Sequence, residues 1–82
     1  MTLNKLKVGK TAVIKSVGGE RNLRCRLLDM GLIPNTVVTV TKLAPLGDPM
    51  QISLRGYELT LRKDDAENVE IEEFGGNLWF LH

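Results

Sequence analysis

The chain has 82 residues, 43% apolar and 26% charged, enough for one domain and too few for a multi-domain enzyme or a repeat array. Its longest unbroken apolar run is Leu78-Trp79-Phe80-Leu81, far short of the roughly 20 residues a spanning helix needs, and one cysteine cannot make an internal disulfide scaffold. Net charge is +1, yet residues 1–42 carry eight Lys/Arg against Glu20 and Asp29, a net +6, while residues 43–82 carry a net −5; in so small a domain the two halves are expected to interleave and pair across strands.

The first residues, Met1 to Lys7, lack the apolar stretch of a signal peptide, and a cytosolic protein is the plain reading. Thr11–Val17 is rich in β-formers, with Ala12 and Ile14 alternating with Val13 and Lys15, before Gly18-Gly19 interrupts. From Glu20 to Met30 the period changes: Leu23, Leu27 and Met30 recur at i, i+4 and i+7, which predicts a helix over 20–30. Gly31 stands where a left-handed residue ends a helix, and Pro34 bars its continuation through the turn Leu32–Asn35.

Thr36–Leu43 reads as a second strand, with Val38 and Val40 alternating with Thr39 and Thr41. Ala44–Pro49 is a loop by composition. Met50–Arg55 and Tyr57–Arg62 alternate again, joined by a tight turn at Gly56. Lys63–Asn68 makes one short helical turn and Val69–Glu73 a fifth strand. Five short strands with one apolar face would expose edges as an open sheet, so closure into a small barrel is expected. The fold class is therefore all-β with one short helix between strands 1 and 2. Its core should hold Ala12, Ile14, Leu27, Val38, Val40, Ile52, Leu54, Leu59, Leu61, Val69 and Ile71. Residues 1–74 form the domain and 75–82 a tail, whose apolar residues either fold back or make an intermolecular contact.

Catalysis is not expected. The sole histidine, His82, is the last residue, and a nucleophile needs an anchored base. Cys25, inside the helix beside Leu27 and Leu28, reads as a half-buried structural thiol. No CxxC, HxH or HExxH spacing occurs. No cofactor is expected, and any divalent metal should bind weakly or adventitiously, at Cys25, His82 or the acidic turn Asp64-Asp65-Glu67.

Three segments together carry a more specific signal: Arg26–Asn35 (RLLDMGLIPN), Ala44–Pro49 (APLGDP) and Leu54–Arg62 (LRGYELTLR). Over residues 3–74 the chain resembles the FeoA family, whose pattern runs as RL-x-x-MG-hydrophobic-x-PG, a PLGDP loop and an RGYELALR hairpin. Asn35 stands where the family usually has glycine, and Asn tolerates the same left-handed turn. The resemblance implies an SH3-like barrel and an accessory role in bacterial ferrous iron uptake. The implied partner is the cytosolic GTP-binding part of a FeoB-type membrane transporter, which would hold the protein at the inner membrane from the cytoplasm.

On that reading the partner surface is expected at the helix end and the proline loop: Arg26, Met30, Leu32, Pro45, Leu46, Gly47, Asp48, Pro49 and Tyr57. Gly31, Pro34 and Gly56 are structural turn residues. The other reading of the loop is a plug for one barrel end. Two further functions compete, an iron-binding carrier or sensor and a nucleic-acid-binding barrel, the latter weakened by the scarcity of stacking aromatics. A homo-oligomer is left open.

Overall fold

The computed structural model describes residues 1–73. The chain opens with a 3-10 turn at Leu3–Lys5, followed by β1 (Thr11–Val17), α1 (Arg21–Asp29), β2 (Val37–Leu43) and β3 (Met50–Leu54). β4 (Tyr57–Leu61), α2 (Lys63–Ala66) and β5 (Val69–Glu73) complete it. All strands are antiparallel, in the order β4-β3-β2-β1-β5. Each strand and α-helix lies within a residue or two of its expected place, and the 3-10 turn was not expected. The tail and the terminal histidine fall outside the described residues.

Alternation puts Ala12 and Ile14 of β1, Val38 and Val40 of β2, and Met50, Ile52 and Leu54 of β3 on one buried face. In β1 and β2 the alternation breaks once, where the register shifts between Ile14 and Ser16 and between Val40 and Lys42. Each bulge inserts one residue, so Val17 and Leu43 turn back toward the core against which they pack. Two bulged strands coil more strongly than flat ones, which wraps five short strands around so few side chains.

The core departs from expectation at six positions. Leu59 is only half-buried, at the flank of the cluster. Leu3, Leu6, Leu32, Met50 and Ala66 are buried although none was expected there. Leu3 and Leu6 enter because residues 1–2 lie against β5: Thr2 bridges Glu70, and Ile71 N–H donates to Met1 O at 2.8 Å. That contact swings the 3-10 turn onto the core.

The barrel is not closed by a continuous ladder. β4 and β5 end the hydrogen-bonded order, and the seam between them is spanned by the helices. α2 joins β4 to β5 directly. α1 starts beside Asn68, which a Cβ on Gly19 would touch, and ends against Tyr57 at the head of β4. Between those points Arg26 reaches Asp65 of α2.

The charge asymmetry resolves into cross-chain pairing. The ion pairs among the described residues are Met1 ammonium–Glu70 (2.7 Å), Lys15–Glu72 (3.5 Å) and Arg26–Asp65 (3.5 Å). Each joins the basic half of the sequence to the acidic half. All are solvent-accessible, so each contributes at most about 1 kcal/mol.

Candidate partner-binding surface

The helix end is built first by α1 itself. Gly31 N–H donates to Leu28 O (3.0 Å) and Leu32 N–H to Leu27 O (3.1 Å), the paired bonds of a Schellman motif. Gly31 has φ +106°, a conformation that a side chain strains. The motif turns Leu32 down onto Leu27, and both are fully buried. Leu32 therefore belongs to the core and leaves the expected contact surface. The chain then turns at Ile33–Thr36, closed by Thr36 N–H to Ile33 O at 3.1 Å. Pro34 and Asn35 (φ 75°) hold the two central positions of a type II turn, as their chemistry favours.

Tyr57 locks this corner from the sheet side. Its hydroxyl donates to Met30 O at 2.5 Å, and a Cβ on Gly31 would overlap that hydroxyl oxygen. Tyr57 as a whole is 43% exposed. The hairpin presenting it has two central residues, Arg55 (φ 50°) and Gly56 (φ 85°), both left-handed as a type I′ turn demands. Arg55 was not singled out in the sequence, although a two-residue loop between Leu54 and Tyr57 requires positive φ at both positions. Its Nη2 donates to Oγ1 of buried Thr36 at 2.9 Å.

The second part is the proline loop. Gly47 N–H donates to Ala44 O (2.7 Å), placing Pro45 and Leu46 at the central positions of a β-turn. Ala44 N–H donates to Pro49 O at 3.0 Å, and the Asp48–Pro49 peptide is cis. Asp48 Oδ1 accepts from Lys63 N–H at 3.0 Å, fastening the loop to α2. Leu46 at the tip is 96% exposed. It plugs nothing. Beneath the loop runs an open groove of about 450 Å³ lined by Asp48, Pro49, Thr60 and Arg62.

These parts do not merge into one surface. The loop precedes β3 and Tyr57 follows it, so a five-residue strand, roughly 17 Å, separates them. Arg26 lies elsewhere again, with Nη2 on Asp65. Met30 is half-buried, packing on the core while its carbonyl serves Tyr57. The expected nine-residue surface resolves into an exposed loop tip at one end of β3 and a locked corner at the other.

Cys25 is exposed rather than half-buried. Leu27 faces the core, and a residue two positions away on a helix points about 200° around it. Among the described residues no three His, Cys, Asp or Glu side chains converge as a metal-binding group. No helix there is long and apolar enough to cross a membrane.

Five antiparallel strands, two of them bulged, a seam carried by helices and an exposed loop tip define a small SH3-like β domain. Residues 1–73 match the FeoA domain. The chain is 38% identical over 77 residues to the Fe(2+) transport protein A/Fe(2+) transporter FeoB fusion protein of Porphyromonas gingivalis. The match covers 94% of this chain and 9% of that relative, so the chain spans a small part of its length. The solution structure of the FeoA protein from Chlorobium tepidum has a TM-score of 0.84 at 36% identity, covering 100% of this chain and 78% of that one. Stenotrophomonas maltophilia FeoA, crystallised with zinc and described as a prokaryotic SH3 domain protein, gives 0.77 at 25% identity, over 88% and 89%. The chain belongs to the FeoA family.

Proposed function

We propose that this protein acts in ferrous iron uptake by binding the cytosolic part of a FeoB-type transporter, working from the cytoplasmic side of the membrane. One observation carries the reading: the Porphyromonas gingivalis relative places a domain similar to this chain on the same polypeptide as the transporter. A covalent link raises effective concentration to about the millimolar range, and such a fusion is useful when the parts act in contact.

Leu46 is the leading contact residue. It is 96% exposed on a loop whose turn is closed by hydrogen bonds and fastened to α2. An apolar side chain held this way loses little conformational freedom on docking. Pro45, Gly47, Asp48 and Pro49 fix its position. Tyr57 and Met30, at a distance, form a separate and secondary contact, and Arg26, held on Asp65, stands apart from both.

The test is capture of a detergent-solubilised FeoB-type transporter by the full-length protein, with the partner's GTP hydrolysis followed in parallel. Wild type is expected to bind, and Leu46→Glu to lose binding while its circular dichroism and Tm stay unchanged. Equal capture by wild type and Leu46→Glu would remove the loop from the interface. No capture at micromolar concentrations would overturn the proposal itself, and the hydrolysis rate reads the sign of any regulation.

A further inference from the structure

The two edges of the sheet are treated differently. β5 is covered: Thr2 bridges Glu70, Ile71 N–H donates to Met1 O, and the Met1 ammonium sits on Glu70 Oε2. β5 also carries Glu70, Glu72 and Glu73, so pairing with its own copy would set like charges side by side. β4 has neither protection. Its register, with Leu54 opposite Tyr57 across a two-residue turn, makes Tyr57, Leu59 and Leu61 the residues bonded to β3. The backbone groups of Glu58 and Thr60 point away from the sheet, and no described backbone group meets them. Arg62, still extended at φ −75° and ψ 147°, continues this edge.

We infer that the β4 edge pairs antiparallel with β4 of a second copy of this chain, about a two-fold axis through Thr60. The sequence Glu58-Leu59-Thr60-Leu61-Arg62 is complementary to itself in that register. Thr60 meets Thr60 of the second copy and exchanges both backbone bonds with it. Leu59 meets Leu61, apolar against apolar on the inner face. Glu58 stands directly opposite Arg62, twice by symmetry, and Arg62 N–H donates to Glu58 O. The Arg62 carbonyl takes no part, since it already accepts from Asp65 and Ala66 N–H.

The side chains are available for this. Glu58 accepts from Thr41 Oγ1 and Gln51 Nε2 at Oε1 alone, which leaves Oε2. Arg62 makes no ion pair among the described residues, and it lines the groove with Asp48, Pro49 and Thr60. Asp48, the one acid of that groove, is engaged by Lys63 N–H. Within one chain Glu58 and Arg62 are four strand residues apart, about 13 Å, so the pair forms only between copies. Pairing centred on Glu58 is excluded by charge, since it would oppose two carboxylates.

The test is sedimentation of the full-length protein from about 10 μM to about 1 mM at low salt, with amide spectra recorded over the same range. The weight-average mass should rise toward twice the 9.1 kDa monomer, and the Thr60 and Arg62 amides should shift with concentration. Glu58→Arg or Arg62→Glu alone should weaken association about tenfold, and the two together should restore it. Thr60→Pro, which removes an outward N–H and no bond to β3, should abolish it. A monomer at every concentration would overturn the inference. So would association that ignores the charge swap, because it would use another face. Neither result bears on transporter capture through Leu46, which is a separate residue and a separate assay.

Discussion

Leu32 and Leu46 look alike in the sequence. Each is a leucine outside any strand, beside a glycine and within three residues of a proline. In the fold, Leu32 is fully buried and Leu46 is 96% exposed. Hydrophobicity does not separate them; backbone hydrogen bonding does. The Schellman bonds at Leu27 and Leu28 rotate the chain after Gly31 so that Leu32 lands on the face α1 already buries. The turn closed by Gly47 N–H to Ala44 O does the reverse, holding Leu46 at its apex. A loop leucine is inside or outside according to which carbonyls the neighbouring amides find.

The largest effect that would break this comparison is at Leu32. Leu32→Ala should cost about 2–5 kcal/mol, much of the total stability of a domain this size. A denaturant midpoint unchanged from wild type would mean that the Schellman motif does not set the burial.

Gly31 comes next, since it makes the rotation. Gly31→Ala should cost about 2–3 kcal/mol: roughly 1–2 for the left-handed backbone and about 1 for the Tyr57–Met30 bond its methyl would displace. A double-mutant cycle sharpens the point. In a Tyr57→Phe background the bond is already gone, so Gly31→Ala should cost about 1 kcal/mol less than in wild type. Additive costs would show that the hydroxyl and the glycine are not in contact.

Periodicity reports which residues share a face, and that much of the fold was readable. Val38 with Val40, Ile52 with Leu54, and Leu23 with Leu27 repeat at the strand or helix period, and each element formed where its pattern lay. Leu3 and Leu6 sit in a stretch too short for either period, and their burial depends on the bridge from Thr2 to Glu70, 68 positions along the chain. No local signal encodes that. Ala44–Pro49 was legible as a loop, and Leu46 as one of its expected contact residues. The scatter of the expected surface over two ends of β3 was legible too, since the loop precedes that strand and Tyr57 follows it, but grouping the resembling segments into one surface passed over the strand between them. The exposed β4 edge was hidden for a different reason: the expectation of a closed barrel removed edges altogether, whereas helices span the seam and leave the outer edge of β4 without a strand partner.

Leu59 tests the edge region more gently. It is half-buried at the flank of the core, where its neighbour Leu61 is fully enclosed. Leu59→Ala should cost about 1 kcal/mol, against about 2–5 for Leu61→Ala. Equal costs in thermal unfolding would mean that the β4 edge is covered in solution at the concentration used. Dilution would then separate the two, since a second copy shields Leu59 only while the chains associate.

The smallest effect is expected at Leu46. A side chain 96% exposed has almost no contacts to lose, so Leu46→Ala should change stability by no more than about 0.5 kcal/mol in either direction. The turn should survive as well, because its bonds run between backbone groups of Ala44, Gly47 and Pro49, and Asp48 holds Lys63 N–H independently of the tip. The informative number is the difference from Leu32→Ala, the same truncation of the same residue type. A gap of at least about 1.5 kcal/mol in chemical denaturation separates a leucine placed by a helix cap from one held out by a turn. A destabilising Leu46→Ala would mean that the tip folds back in solution, and Leu46 would then lose its standing as the exposed contact of the loop.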